Sequence, residues 1–354
     1  MKSLFLKLAA SIYGVGIRLR HLLFDWGLLH STSYDIPIIC LGNITVGGTG
    51  KTPAVEMLIE HYDEGYSIAV LSRGYGRRTK GYREVECDDS YLNVGDEPLQ
   101  IKRKYPHVKV VVCERRTEGI ERILSEYPEI SMIIMDDGFQ HRYVKPFINV
   151  IMVDATRPVQ CDRLLPAGQL RDTINSLERA HYFIVTKCPD NINAAQKLVH
   201  RKWLMQKPSQ QVFFSRIVCG EIRPIFAEGA SELPEGSLVI AMSGIGNNEV
   251  FNNSLALRFN VAATIDLDDH HPYVMRDVQL MQSALARYPE AVIVTTEKDA
   301  VKLFNVQKMP VELKSRMYYE SIRMEFLDDG FEEFFRRIDT DLKNHNNDSY
   351  IRGC

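Results

Sequence analysis

Apolar residues along this chain recur with two periods. Residues 1–30 carry the helical one. At about 100° per residue, Leu4, Leu8, Ile12, Val15, Leu19, Leu22, Leu23 and Trp26, with Phe5, share an arc of about 100°. Lys2, Lys7, Arg18 and Arg20 lie outside it, and Gly14 and Gly16 weaken the middle. Such a stripe either docks on a core, its commoner use, or lies as a basic amphipathic helix on a membrane surface. Taken alone, the segment favours docking.

Further on, short apolar runs alternate with helical stretches. The runs are Ile36–Leu41, Ser67–Leu71, Val108–Val112, Met132–Met135, Val150–Val153 and Phe183–Thr186. Continuous apolar strands separated by helices predict a parallel sheet buried on both faces, with sites at the carboxyl ends of its strands. Near residues 206–226 the pattern changes. Gln211–Ser215 and Ile222–Phe226 flank Cys219-Gly220-Glu221, which reads as a two-stranded linker. A second, smaller α/β unit follows, with strands at Leu238–Met242 and Ala291–Thr295. The expected division is a helix at 1–30, a first α/β domain at 31–208 and a linker at 209–226. A second α/β domain spans 227–310, and a segment at 311–354 returns towards the first.

The length of 354 residues agrees with about two domains. Lys and Arg total 43 against 46 Asp and Glu, a net charge of −3, which argues against a general nucleic-acid binder. The seven cysteines form no C-x-x-C, so neither a disulfide framework nor a Cys-rich zinc site is suggested. No run of 18 apolar residues occurs, so no conventional transmembrane helix is expected. The first apolar run is short and is followed by Arg18 and Arg20, which argues against a cleaved signal.

The strongest chemical signal is Thr45-Val46-Gly47-Gly48-Thr49-Gly50-Lys51-Thr52, after a strand and before a helix. Glycines let backbone N–H groups curl around a triphosphate, and the helix N-terminus adds partial positive charge. In that arrangement Lys51 reaches the β- and γ-phosphates and Thr52 ligates Mg²⁺. This is a P-loop NTPase pattern, with Thr45 where Gly usually opens the loop. Asp136-Asp137 end an apolar strand, where a carboxylate that organises Mg²⁺ belongs.

Two alternatives share this loop. It resembles that of membrane-partitioning ATPases, but Val46 stands where they carry a signature Lys. Thr186-Lys187-Cys188-Pro189-Asp190 loosely resembles a guanine-reading motif of GTPases, with one residue too many.

Motifs along most of the chain point elsewhere. Leu41–Pro53, Leu71-Ser72-Arg73-Gly74-Tyr75-Gly76-Arg77, Val94-Gly95-Asp96-Glu97-Pro98 and Asp136-Asp137-Gly138-Phe139-Gln140-His141 come first. Leu164-Leu165-Pro166-Ala167-Gly168, Asp269-His270-His271-Pro272-Tyr273 and Thr296-Glu297-Lys298-Asp299-Ala300 follow. Together they resemble the tetraacyldisaccharide 4′-kinase family, the lipid A kinases. The resemblance implies two α/β domains joined by a β-linker, ATP and Mg²⁺, and transfer of the γ-phosphate to the 4′-hydroxyl of a lipid A disaccharide precursor. It also implies a monotopic enzyme on the cytoplasmic face of the bacterial inner membrane, with residues 1–30 as its amphipathic membrane-associating helix and no obligatory protein partner.

Carried over by position, Asp96 matches the catalytic carboxylate and His270 the histidine that orients or tunes it. Arg73, Arg77, Arg115 and Arg116 are candidates to clamp the acceptor's phosphate or the transferring phosphoryl group. Asn43, Asp137, Gln140, His141 and Arg171 complete the expected acceptor site. Asp172 stands where the family often has Glu, which makes it a third candidate for Mg²⁺ beside Thr52 and Asp136. Asp268 replaces the commoner Pro ahead of Asp269-His270.

Overall fold

The computed structural model describes residues 2–352 except Asn247, His270 and Gln307. The expected strands form. β1 is Ile38–Gly42, β2 Ile68–Ser72, β3 Arg83–Glu84, β4 Lys109–Val112, β5 Met132–Met135, β6 Ile148–Asp154 and β7 Tyr182–Thr186. β8 is Gln211–Pro224, β9 Leu238–Ser243, β10 Asn260–Asp266, β11 Val292–Thr296 and β12 Met317–Phe326. Helices α1 (Lys2–Asp25), α2 (Lys51–Tyr62), α3 (Tyr91–Val94), α4 (Asp96–Lys104), α5 (Arg116–Glu126) and α6 (Ala194–Leu204) accompany the first seven strands. Helices α7 (Asn248–Ala256), α8 (Met275–Arg287), α9 (Glu297–Leu303), α10 (Val311–Lys314) and α11 (Gly330–Arg352) complete the chain.

The strands join in the order β10-β9-β11-β12-β8-β7-β6-β1-β5-β2-β4-β3. Every pairing is parallel except β3 with β4 and β8 with β12. The alternation of side chains across a strand explains why both faces are apolar. Ile38 and Cys40 pack with Leu71, Val111, Met135 and Ile120 on one side. Ile39 and Leu41 pack with Val70, Ile134 and helix residues Val55, Leu58 and Leu99 on the other. Phe334, Phe335, Ile338 and Leu342 of α11 belong to that same cluster, so the chain's last helix packs against the first sheet. Further along, β9 and β11 have their own two clusters, around Ile240 and Met242 and around Val239 and Val294.

Two sequence expectations need correction. The stretch read as two short strands is one, β8, of 14 residues. Its antiparallel partner is β12, with Ser215 opposite Phe326 and Pro224 opposite Tyr318. Gly220 is no hairpin turn. A Cβ there would come within 2.5 Å of Ser321 Oγ, so glycine permits close strand approach beside an irregular register.

The apolar stripe of α1 is not docked on the core. Leu8 is 61% exposed and Trp26 67%, and Leu4, Phe5, Ile12, Val15, Leu19 and Leu22 are exposed too. The helix rests instead on Ala10, Gly14 and Phe24, a narrow face spaced at helical period. A Cβ on Gly14 would come within 2.8 Å of Leu164 Cδ1, so a small residue is what lets the helix sit this close.

Candidate active site

β1 lies between β5 and β6, and its carboxyl end opens into the phosphate loop. The loop's turns fall on glycines. Gly50, just before α2, is left-handed with φ 81°, a conformation that costs other residues a Cβ clash. Thr45 needs no such freedom, because it forms an antiparallel bridge with Leu170. Val46 N donates to Gln169 O at 2.8 Å, and Arg171 N to Ile44 O at 2.8 Å. The departure from a glycine at the loop's first position is thus a short piece of sheet.

Side chains beneath the loop brace it. Asn43 is fully buried, and its Nδ2 donates to Thr49 Oγ1 at 2.8 Å. Gln140 Nε2 donates to Asn43 O at 2.8 Å. The Arg171 guanidinium grips Asp137 and Asn43 together, with Nη1 at 2.8 Å from Asp137 Oδ2. Four residues expected to touch the acceptor therefore hold one another and the loop.

Lys51 Nζ stands 3.8 Å from Asp137 Oδ1. The two aspartates after β5 differ sharply in electrostatics. Burial would raise the Asp137 carboxyl, but Arg171 and Lys51 outweigh it and hold the group down at about 2. Burial and the neighbouring Asp137 charge push Asp136 the other way. Asp136 Oδ2 accepts from Ser72 Oγ at 3.1 Å, while its Oδ1 is buried with no hydrogen-bond partner. A buried, unsatisfied carboxylate oxygen beside Lys51 and the loop is a fitting cation ligand. Among the described residues no group of three His, Cys, Asp or Glu side chains could hold a metal unaided.

Asp96 opens α4 immediately after Gly95, whose φ of 96° makes the corner. Its Oδ1 accepts from Glu97 N at 3.0 Å, and Lys298 Nζ from α9 lies 3.9 Å from Oδ2. Glu97 is a site residue the sequence reading passed over, although it stands in the quoted motif. Burial, then the Asp136 charge, pushes its carboxyl up to about 7, with Lys51 and Lys298 opposing. His270 lies outside the described residues.

The four arginines separate. Arg116 is buried, with Nη1 donating to Cys113 O. Its Nε and Nη2 have no hydrogen-bond partner, and the charges of Asp136 and Asp137 act on it. Arg116, Arg73 and Arg20 surround His141. Burial first, and then these three cations, hold that imidazole down at about 4. Arg77 is not available: it pairs with Glu114 at 2.7 Å and donates to Gly81 O at 2.6 Å, with 2% of its side chain exposed. Arg115 points into solvent beside Glu118, its side chain 82% exposed.

Asp172 also departs from its expected metal role. Its Oδ1 accepts from His21 Nε2 of α1 at 2.7 Å and from Thr173 N at 2.7 Å, and its Oδ2 lies 3.5 Å from Arg179. The chain bends at Arg171 and Asp172, and the two side chains part. Arg171 takes the loop side and Asp172 the side of α1. Lys187 pairs with Asp154 at 2.7 Å and Asp190 with Arg216 at 2.5 Å, so the residues that would read guanine serve separate ion pairs.

The model of the tetraacyldisaccharide-1-P 4′-kinase family matches residues 2–341. The chain belongs to this family. A tetraacyldisaccharide 4′-kinase of Phocaeicola vulgatus is 39% identical over 348 residues, covering 96% of this chain and 95% of that one. The Chlorobaculum tepidum enzyme of the same name is 34% identical over 346 residues, covering 95% and 97%. Among solved structures, LpxK of Aquifex aeolicus in complex with ATP aligns with TM-score 0.74 and 26% identity, covering 97% of this chain and all of that one. The membership removes the partitioning ATPase and GTPase alternatives. It also agrees with a mostly parallel α/β sheet whose phosphate loop follows a central strand.

Proposed function

We propose that this chain transfers the γ-phosphate of ATP to the 4′-hydroxyl of the tetraacyldisaccharide 1-phosphate precursor of lipid A. The observation that carries the reading is the convergence of Lys51, Asp136, Glu97 and Asp96 on one site in a chain of this family. Lys51 and the amides of 45–52 hold the β- and γ-phosphates. Thr52 and Asp136 would hold Mg²⁺, which neutralises charge on those phosphates when bound. The sugar oxygen attacks the γ-phosphorus in line, and an O–P bond forms as the bond to the β-phosphate oxygen breaks. ADP leaves, and Asp96 takes the hydroxyl proton as the new bond forms. His270 is assigned the support of Asp96. Arg116 and Arg73 offer guanidinium groups to the acceptor or to the transferring group. Residues 31–208 and 227–310 are read as two domains flanking the cleft, joined by 209–226.

The acceptor is a lipid, so the enzyme meets it at a bilayer. No described helix is long and apolar enough to cross a membrane. The exposed arc of α1, with Lys7 and Arg18 exposed beside it, suits monotopic insertion in the interface. With ATP as donor, that surface is the cytoplasmic face of the inner membrane.

Replacing Lys51 with Ala tests the reading. Radiolabel transferred from the γ-phosphate into extractable lipid should fall by orders of magnitude, with the urea midpoint unchanged. Retention of transfer at saturating ATP would contradict the assignment.

A further inference from the structure

Three helices bring their first residues to the site. α2 starts with Lys51 and Thr52, α4 with Asp96 and Glu97, and α9 with Glu297 and Lys298. Positions four apart on a helix stack on one face. Glu56 stands one such step after Thr52, and Gln100 and Lys104 one and two steps after Asp96. These deeper residues meet. Gln100 Nε2 donates to Glu56 Oε1 at 3.1 Å. Lys104 Nζ donates to Glu56 Oε2 at 2.7 Å and lies 3.6 Å from Glu297 Oε1. Alongside, Arg103 Nη1 donates to Val301 O at 3.1 Å, and its guanidinium sits 4.1 Å from the centre of the Phe304 ring.

As a source of stability this cluster is a poor choice. It buries two carboxylates against the Lys104 ammonium, with only the Ile322 N–H and the charge of Arg223 helping Glu297, and desolvating charges opposes the gain from pairing them. Burial, and then the Glu297 charge, drive the Glu56 carboxyl up to about 7 against the pull of Lys104. Glu297 Oε2 is buried without a hydrogen-bond partner. Apolar side chains of similar volume would pack these helices at less cost. What they would not provide is a fixed register, because apolar contacts are not directional.

We propose that Glu56, Gln100, Lys104 and Glu297 are positioning residues that lock α4, and with it Asp96, against the phosphate-loop helix and α9. The proposal rests on the reading of Asp96 as the base. Glu56, Gln100 and Lys104 sit one to two turns behind the chemistry and Glu297 precedes Lys298, so the lock acts through the placement of Asp96 and Lys298. A misplacement of 1 Å costs on the order of 10²-fold in rate.

The experiment uses the full chain with ATP, Mg²⁺ and the lipid acceptor in mixed micelles. Lys104→Met, Lys104→Arg and Glu56→Gln are made in the native and Asp96→Asn backgrounds. Three quantities are read for each: kcat, ATP affinity by equilibrium binding, and urea midpoint. Lys104→Met should lower kcat roughly 10- to 100-fold and leave ATP affinity unchanged, and Lys104→Arg should recover most of the loss. In the Asp96→Asn background Lys104→Met should add little, because the two residues act through one base. Equal losses in both backgrounds, or an unchanged kcat, overturn the lock. Should Lys104→Met fail to fold, Glu56→Gln, which keeps the shape, carries the same comparison, and an unchanged kcat there overturns it equally. Asp96→Asn with undiminished kcat would sink the base itself. A loss in Asp96→Asn without one in Lys104→Met sinks the lock alone.

Discussion

Asp136 and Asp137 are neighbours of one residue type, and their surroundings give them opposite tendencies. The sequence shows two aspartates after an apolar strand. It does not show that Arg171 grips one of them and that the other keeps a buried oxygen without a partner. The arginines make the same point. Arg77 and Arg116 look alike in the chain, but Glu114 occupies the first and nothing occupies two nitrogens of the second. Motif spacing makes the loop legible, because its glycines and lysine act locally. Burial and partners are tertiary facts, and spacing is silent on them. Asp96→Asn keeps size and loses proton affinity. It should cost ~10²–10⁴ in kcat with ATP affinity nearly unchanged, and a collapse of ATP affinity instead would make Asp96 a binding residue. His141 gives a pH prediction. Its folded-state imidazole titrates at about 4, below the ordinary 6.5. Between those values the unfolded chain binds a proton that the folded one does not, so stability falls as pH drops through that window. His141→Gln should remove on the order of 1–2 kcal/mol of that loss, allowing for partial exposure. Urea midpoints at pH 7 and 4.5 measure it, and equal losses in both proteins would contradict it.

Among the elements, α1 is where periodicity alone misled. Taken alone the stripe of leucines favours the core, whereas the resemblance makes residues 1–30 a membrane-associating helix; the helix docks through Ala10, Gly14 and Phe24 with the stripe turned outward. A hydrophobic arc says that something apolar covers it, not which solvent does. Tyr13 OH donates to Arg171 O at 3.0 Å and His21 to Asp172, so the face opposite the stripe meets the segment that braces the phosphate loop. Changing Leu8 and Leu19 together to Glu should release the protein from anionic liposomes. Each leucine contributes roughly 1.5–3 kcal/mol when buried, so partitioning should fall at least tenfold. The KM for the lipid acceptor should rise and ATP affinity should hold. A double variant that floats like the parent, or one that unfolds, would return the stripe to core packing. β8 failed for a different reason: its partner β12 lies about a hundred residues away, and local patterning supplied a nearer one.

At the scale of the molecule, the alternation of strands and helices was enough to place six of the first seven strands and the loop; the two-residue β3 has too little pattern to show. The sheet's continuity through β8 and β12 was not visible, because it depends on pairing between distant segments. The motifs nevertheless gather at strand ends: the loop after β1, Asp136 after β5, Arg116 after β4 and Lys298 after β11. That gathering is what a phosphoryl transfer between a nucleotide and a sugar hydroxyl requires, since catalysis here is mostly positioning and charge. The most direct measurement is the product itself. The protein is incubated with ATP, Mg²⁺ and a tetraacyldisaccharide 1-phosphate, and the lipid is examined by mass spectrometry and phosphorus NMR. The account predicts one added phosphate per disaccharide, esterified at the 4′-oxygen, with one ADP formed for each. ADP released with no phosphate gained by the lipid, or phosphate on another oxygen, would contradict it.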